Sequence, residues 1–243
     1  MNLAIVGYGK MGRLVEQLAP SYGFAVPLHL DIEENVNGSG ITRDRFRGID
    51  VAVEFSTPAA ALGNIERLAA IGVNTVVGTT GWNKQAARAR AAVEKGGTGL
   101  VWSPNFSIGV NVFMHLVAEA SRRFAPYQEY GAWAWEIHHA SKKDAPSGTL
   151  LALVEEMKKA DPRRPVDVSS SRAGAHAGTH EIGFDSAADT ITLRHTARNR
   201  EGFARGALEA ARWVAGKKGF FEFREILFGN GSGLSLRPGQ DNL

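Results

Sequence analysis

Leu3-Ala4-Ile5-Val6-Gly7-Tyr8-Gly9-Lys10-Met11-Gly12 sets four apolar residues directly against a turn containing three glycines. An apolar run bounded by glycine reads as a short buried strand, and Met11 to Pro20 carries the spacing of the helix that the turn opens. Ala25 to Leu30 reads as a second strand and ends at Asp31. Strand, glycine turn, helix, strand and terminal acid make up the mononucleotide-binding unit, and Asp31 follows Gly12 at close to the spacing of about 20 residues which that unit uses. The glycines have physical tasks. A side chain at Gly9 would hold a pyrophosphate off the backbone, and one at Gly12 would push the helix off the strand. The bland readings are a plain turn for Gly7, Gly9 and Gly12, and a helix cap for Asp31. The strand before and the helix after favour a nucleotide.

Working outward, Val51 to Phe55, Thr75 to Val77 and Leu100 to Trp102 read as strands, with Pro58 to Ala70 and Asn83 to Lys95 as helices between them. Strands alternating with helices in this way predict a Rossmann-type, doubly wound parallel sheet. The rhythm changes after Asn105. A long helix from about Val110 to Phe124 precedes strands at Gly131 to His138, Val166 to Arg172, His180 to Phe184 and Thr190 to Thr196. That order predicts a smaller α+β domain on a mainly open sheet. Helix pattern resumes at Phe203 to Ala215, and Phe220 to Phe228 is apolar enough to pack.

A second chemically dense stretch is Glu136-Ile137-His138-His139-Ala140-Ser141-Lys142-Lys143-Asp144-Ala145-Pro146-Ser147-Gly148-Thr149. Before it, Gly131 to His138 alternates with the period of a half-buried strand; after it, Thr149 to Lys159 reads as helix. Titratable groups at a strand end therefore face a helix N-terminus with unpaired N–H groups, and an anion is expected there. Ser147, Gly148 and Thr149 fit a helix cap equally well, and the two readings are compatible. His138 and His139 should point to opposite faces, so one of them can be structural. Lys142 and Lys143 can both be solvated charges. A metal is not expected, because adjacent strand residues cannot converge on one ion as helix partners four apart do. Trp133 and Trp135 share a strand face and read as core, and His29, His115 and His195 as structural.

The whole chain sets outer bounds. Its 243 residues can bury a substantial core, and 44% hydrophobic and 22% charged residues are ordinary for a globular protein. A net charge of +3 is basic, yet Lys and Arg never run beyond two, so small anions are the expected partners and nucleic acid is not. Zero cysteines exclude disulfides and thiolate catalysis. No stretch approaches the roughly 18 apolar residues of a membrane helix, and no leader is legible before Leu3, so a cytoplasmic location is expected.

The run His-His-x-x-Lys-x-Asp-Ala-Pro-Ser-Gly-Thr, here His138 to Thr149, resembles the signature of the dihydrodipicolinate reductase family. Gly7 to Gly12, Gly78-Thr79-Thr80-Gly81, Ser103 to Val112, and Arg172 through Gly178 to His180 agree with the family in the same order. The histidine–lysine run is the specific one; the glycine turn is shared by many dinucleotide enzymes. The resemblance implies an NAD(P)H-dependent reductase of lysine and diaminopimelate biosynthesis that turns a small cyclic dicarboxylate into tetrahydrodipicolinate. It implies cofactor contacts at Gly7, Tyr8, Gly9, Lys10, Met11, Gly12, Asp31, Gly78, Thr79, Thr80, Ser103, Pro104, Asn105 and Phe106. It assigns His138 as general acid, Lys142 as the charge facing substrate, and His139, Ser147, Gly148 and Thr149 as carboxylate contacts. It also implies a discontinuous first domain (1–107 and 201–243), a substrate-binding and oligomerisation domain (108–200), hinges near Asn105 to Ile108 and Arg198 to Arg200, and a homotetramer. Acids at Asp31, Glu33 and Glu34 favour NADH, whereas Lys10, Arg43 and Arg45 soften that preference, so use of both cofactors is expected, NADH equally or better. The alternatives are another two-domain amino-acid or imine dehydrogenase, or a nicotinamide sensor without turnover; retention of both His138 and Lys142 argues against the sensor.

Overall fold

The computed structural model describes residues Met1–Gly229; positions 230–243, the end of the expected 201–243 segment, lie outside the described residues. The described chain divides into two compact units, one formed by Met1–Ser107 with residues 203–229, the other by Ile108–Gly202.

In chain order the first unit contributes β1 (Asn2–Val6), α1 (Lys10–Leu18), β2 (Ala25–Leu30), β3 (Val51–Glu54), α2 (Pro58–Ala70), β4 (Asn74–Val77), α3 (Ala86–Gly96) and β5 (Gly99–Trp102). The second unit holds α4 (Ile108–Phe124), β6 (Gly131–His138), α5 (Gly148–Ala160), β7 (Val166–Arg172), β8 (Thr179–Asp185) and β9 (Thr190–Thr196). α6 (Glu201–Val214), β10 (Gly219–Glu222) and α7 (Phe223–Phe228) complete the described chain. Short 3-10 turns at Ala19–Tyr22 and Asn83–Gln85 replace the end and the start of two expected α-helices. At the first, Pro20 removes an N–H donor and Gly23 closes the turn at φ +78°.

The six strands of the first unit run parallel in the order β10-β5-β4-β3-β1-β2. The central β1 and β3, buried on both faces, are apolar along Leu3 to Val6 and Val51 to Val53, whereas the edge strand β2 alternates between exposed and half-buried residues before the buried Leu30. Because the chain leaves β1 toward β2 and returns on the other side as β3, the order reverses between β1 and β3, the place where such sheets hold ligands. α6 packs Ala204, Ala207, Leu208 and Ala211 into the core with Ile5, Val53 and Phe223. Gly206 is needed for that approach, since a Cβ there would overlap the Phe106 carbonyl. Asn74 pins the helix end, donating to the Val214 carbonyl at 2.7 Å while accepting from the Gly99 N–H at 2.7 Å.

In the second unit β6 pairs parallel with β7 and antiparallel with β8, and β9 completes the sheet in the order β7-β6-β8-β9. One face packs Ala132, Ala134, Ile182 and Phe184 against Val117 of α4 and Leu150, Leu153 and Met157 of α5. Trp133 and Trp135 are not in this core. Strand alternation places them with Ile137 on the other face, half-buried, Trp133 lying across Gly183 and Trp135 donating to Ser171 Oγ at 3.2 Å. Arg164, almost wholly buried, pairs with Asp161 at 3.1 Å and donates to the carbonyls of Phe124, Tyr127 and Tyr130, so the ends of α4 and α5 share one charge-assisted clamp.

Candidate active site

The glycine turn leaves β1 with Gly7 at φ +95°, where a Cβ would overlap the Phe55 carbonyl, so only glycine is accommodated. A Cβ at Gly12 would overlap the Gly7 carbonyl and lie 3.1 Å from Ile5 Cγ2, which is the helix-on-strand approach expected from sequence. Gly9 is different: a Cβ there would meet nothing within 4 Å, so its surroundings are open space. Gly9 is also the N-cap of α1, which has no side-chain cap and no acid in its first turn, leaving the helix N-terminus available to an anion. Beside it, the ends of β1 and β3 open a cavity of about 720 Å³, lined among others by Gly7, Gly9, Asp31, Ser56 and Asn64. That volume and an uncapped helix end fit a dinucleotide.

Other expected cofactor residues fall around the same strand ends. Tyr8 stacks on His29 with centroids 4.1 Å apart, donates to Glu16 and lies under the Arg13 guanidinium, while Lys10 is exposed and Met11 half-buried against the core. Asp31 Oδ1 accepts from the Ile32 N–H at 2.8 Å, and its own N–H donates to Glu34 at 2.7 Å. Asp31 therefore closes a turn rather than capping a helix. Gly78 and Thr79 continue β4, each N–H donating to the Glu54 carbonyl, with Thr79 buried and Thr80 exposed. Ser103 Oγ donates to the Asn105 carbonyl at 2.8 Å and accepts from the Asn105 N–H at 3.1 Å, a self-bonded turn that leaves Pro104 exposed and Phe106 buried on Phe223. Beneath these loops lies Glu54, fully buried, accepting from Ser56 and from Asn64 Nδ2 at 3.1 Å. Burial pushes its pKa up, with Ser56, Thr79 and Asn64 opposing.

In the second unit the expected residues assemble around one the sequence left without a role. Glu136 on β6 has the same strand parity as His138 and no exposure. It accepts from the Ser147 N–H at 2.8 Å, from Ser147 Oγ, from Ser170 Oγ at 3.1 Å and from Arg172 at 2.8 Å. His138 Nδ1 lies 3.4 Å and His180 Nε2 3.3 Å from Glu136 Oε2. Burial works to raise the carboxyl pKa, but the Ser147 hydroxyl, Arg172 and the Ser147 N–H outweigh it and hold Glu136 at about 2. His180 is pushed down to about 4, chiefly by burial and then by His138. His138 is also lowered, by burial first; Lys142 and Arg172 add to that while Glu136 and Asp144 oppose it.

At the helix N-terminus beyond this cluster, Ser147 caps α5 by accepting from Leu150 N and donates its own N–H and hydroxyl to Glu136. Gly148 is exposed and Thr149 half-buried just beyond. Lys142 Nζ holds Asp144 at 2.7 and 3.0 Å and is one-quarter exposed, whereas Lys143 is open to solvent. His139 Nδ1 pairs with Ser141 Oγ at 2.8 Å, just past the end of β6. Glu136, His138 and His180 bring potential ligand atoms within 4.8 Å of one another, a convergence that comparing His138 with His139 alone did not foresee. On Glu136, Oε1 accepts from Arg172, Ser170 Oγ and the Ser147 N–H, and Oε2 from Ser147 Oγ.

A nucleotide-fitting parallel sheet and a separate histidine–lysine–carboxylate cluster define the class: a nicotinamide-dependent oxidoreductase with a Rossmann-type domain. Residues 1–106 match the family description "Dihydrodipicolinate reductase, N-terminus" and residues 109–227 "Dihydrodipicolinate reductase, C-terminus". The chain belongs to the dihydrodipicolinate reductase family. It is 32% identical over 238 residues to the 4-hydroxy-tetrahydrodipicolinate reductase of Christiangramia forsetii, covering 93% of this chain and 98% of that one. It is 34% identical to the enzyme of the same name from Archaeoglobus fulgidus, covering 93% and 100%. Among solved structures, the dipicolinate-bound dihydrodipicolinate reductase of Paenisporosarcina sp. TG-14 shares the fold with a TM-score of 0.79, at 22% identity over 93% of this chain and 99% of that one.

Proposed function

We propose that this chain reduces 4-hydroxy-tetrahydrodipicolinate, or the dihydrodipicolinate formed from it by loss of water, to tetrahydrodipicolinate in lysine and diaminopimelate biosynthesis. The observation that carries the reading is a buried His138 held at a fixed carboxylate beside Lys142, in a chain that matches this family along both units. Reduced nicotinamide, when bound, supplies the hydride. The α1 N-terminus and the Gly7–Gly9 backbone hold the pyrophosphate, Asp31 accepts from ribose hydroxyls, and the Gly78–Thr80 and Ser103–Phe106 turns border the nicotinamide end. Lys142 leaves Asp144 for a substrate carboxylate, with His139, Ser147, Gly148 and Thr149 completing that subsite, Ser147 by holding the turn in shape. His138 delivers from Nε2 the proton that completes reduction at carbon, since an imidazole can hold and release a proton near neutral pH. The test is turnover: with freshly generated 4-hydroxy-tetrahydrodipicolinate, purified protein should consume NADH and form tetrahydrodipicolinate in equal amounts. Absence of consumption under conditions where NADH binds would overturn the reading.

Both NADH and NADPH are used, with kcat/KM for NADH equal or better. A smaller cavity of about 330 Å³ lined by Tyr8, His29, Asp31, Glu33 and Glu34 presents carboxylates where a 2′-phosphate would need cations. Lys10, Arg43 and Arg45 are exposed charges that reduce the penalty. Assembly is a cytoplasmic homotetramer through the β6–β9 face that carries Trp133 and Trp135. No helix among the described residues is long and apolar enough to cross a membrane. Light scattering that gives a monomer mass would remove the tetramer.

A further inference from the structure

We infer that Glu136 is the positioning residue of this reductase: one buried carboxylate orients the proton donor His138 and at the same time locks the substrate-side turn at Ser147. The inference rests on the reading of His138 as proton donor and adds a residue through which that donor works.

The argument is one of donor and acceptor capacity. Ser147 Oγ has a single proton and two lone pairs, and its proton goes to Glu136, the stronger acceptor. Its lone pairs accept from Leu150 N at 3.2 Å and from His180 Nε2 at 3.2 Å. His180 must therefore carry its hydrogen on Nε2, and with its pKa lowered to about 4 it is neutral at working pH. A neutral His180 donating toward Glu136 and Ser147 leaves the carboxylate as an acceptor-only centre. The groups facing it are then fully specified: Ser170 and Arg172 from β7, His180 from β8, with His195 behind it on β9, and Ser147 from the α5 end. Lys142 and Asp144 lie on the loop that faces His138.

His138 Nδ1 points into this centre from the same strand face, 3.4 Å from Glu136 Oε2, and is buried with no aligned hydrogen bond. An acceptor-only neighbour sets Nδ1 as the protonated nitrogen, leaving Nε2 as the atom that gains and loses the catalytic proton. The Nε2 edge runs over Gly178, where a Cβ would come within 2.8 Å of Nε2 and where φ is +135°. Gly178 therefore keeps that edge uncovered. Register explains how the residues meet: Glu136 stands between Ser170 and His180, and His138 beside Arg172. Arg172 offsets the Glu136 charge and ties it to the Asp144 carbonyl, so the same carboxylate braces the loop carrying Lys142.

Two measurements test this. The first needs no variant: nitrogen-15 NMR of histidine-labelled protein should show neutral His138 as the Nδ1–H tautomer, the reverse of the usual solution preference. An Nε2–H tautomer overturns the inference. The second is the pH profile of kcat/KM in Glu136→Gln, which keeps the side-chain shape without the charge. The limb set by His138 should move at least one pH unit lower and kcat at neutral pH should fall about tenfold or more, because the carboxylate no longer favours imidazolium. Glu136→Asp should recover part of the shift. A folded Glu136→Gln protein with an unmoved limb overturns the inference. If His138→Gln keeps full kcat while the tautomer is as stated, the proton-donor reading has failed and the orientation by Glu136 has not.

Discussion

The molecule contains two helix N-termini to which the sequence assigns an anion, and it builds them in opposite ways. At α1 the cap is Gly9, with no side chain on the N–H groups and no acid in the first turn, so the positive end faces an open cavity. At α5 the cap is Ser147, and its N–H and hydroxyl already hold the chain's own Glu136. The first end is open, made from backbone and the absence of side chains. The second is a fixed charge centre that sets the orientation and protonation of its neighbours. In the proposed function an external anion meets both ends, a pyrophosphate at α1 and a substrate carboxylate at Gly148 and Thr149, and the α5 end carries a built-in carboxylate beside it as well.

Substitutions that respect this division should separate affinity from turnover. His138→Gln should lower kcat by about 10²-fold or more with the NADH KM nearly unchanged, the contribution typical of a general acid. A parallel rise in NADH KM would show that the two regions are not functionally separate. Lys142→Ala should raise the substrate KM by about tenfold, the value of a charge-assisted hydrogen bond, with less effect on kcat. Normal saturation by substrate would return Lys142 to a partner of Asp144 alone.

At the other helix end, Gly12→Ala forces a methyl into the Gly7 carbonyl and should cost about 1–3 kcal/mol of stability, read by denaturant titration, together with weaker NADH binding at preserved kcat. An unchanged titration would mean the turn relaxes freely and that close packing does not select this glycine.

Acid stability sharpens the contrast. His180 titrates near 4 in the folded state against 6.5 when free, so the unfolded chain binds the extra proton between those values. Its contribution is complete above pH 6.5 and is lost as pH falls toward 4, about 3 kcal/mol, and protonation of Glu136 continues the loss from 4.5 toward 2. Glu54 in the first unit has the opposite sign: its raised pKa gives stability that is present at low pH and lost as pH rises through the folded value. His180→Gln should therefore flatten the stability slope between pH 6.5 and 4, and an unchanged slope would place the acid sensitivity elsewhere. The smallest expected difference is between cofactors: NADPH should not exceed NADH in kcat/KM by tenfold, or the role given to Asp31 is wrong.

Much of this was legible in the sequence because it depends on local pattern. Short apolar strands before glycine, a proline at Pro58 and the alternation of β6 place the elements within a few residues. Local pattern gives Glu136 no role, although it lies two positions from His138 on the same strand face. Its importance is a matter of cross-strand register, which pairs it with Ser170 and His180 only once β7 and β8 are in place. The available signal was a carboxylate at buried parity beside Ala134, which burial makes costly without cations such as Arg172. Trp133 and Trp135 were misplaced for the complementary reason. Alternation shows that they share a face, and the helices α4 and α5 decide which face is core.

Hydride transfer to the cyclic dicarboxylate can be followed by isotopic label. NADH carrying deuterium at the transferable position, incubated with freshly generated 4-hydroxy-tetrahydrodipicolinate, should yield tetrahydrodipicolinate with a single deuterium per molecule by mass spectrometry. Product without deuterium, or label kept in the nicotinamide while substrate is consumed, would show that this chain does not transfer hydride to that substrate.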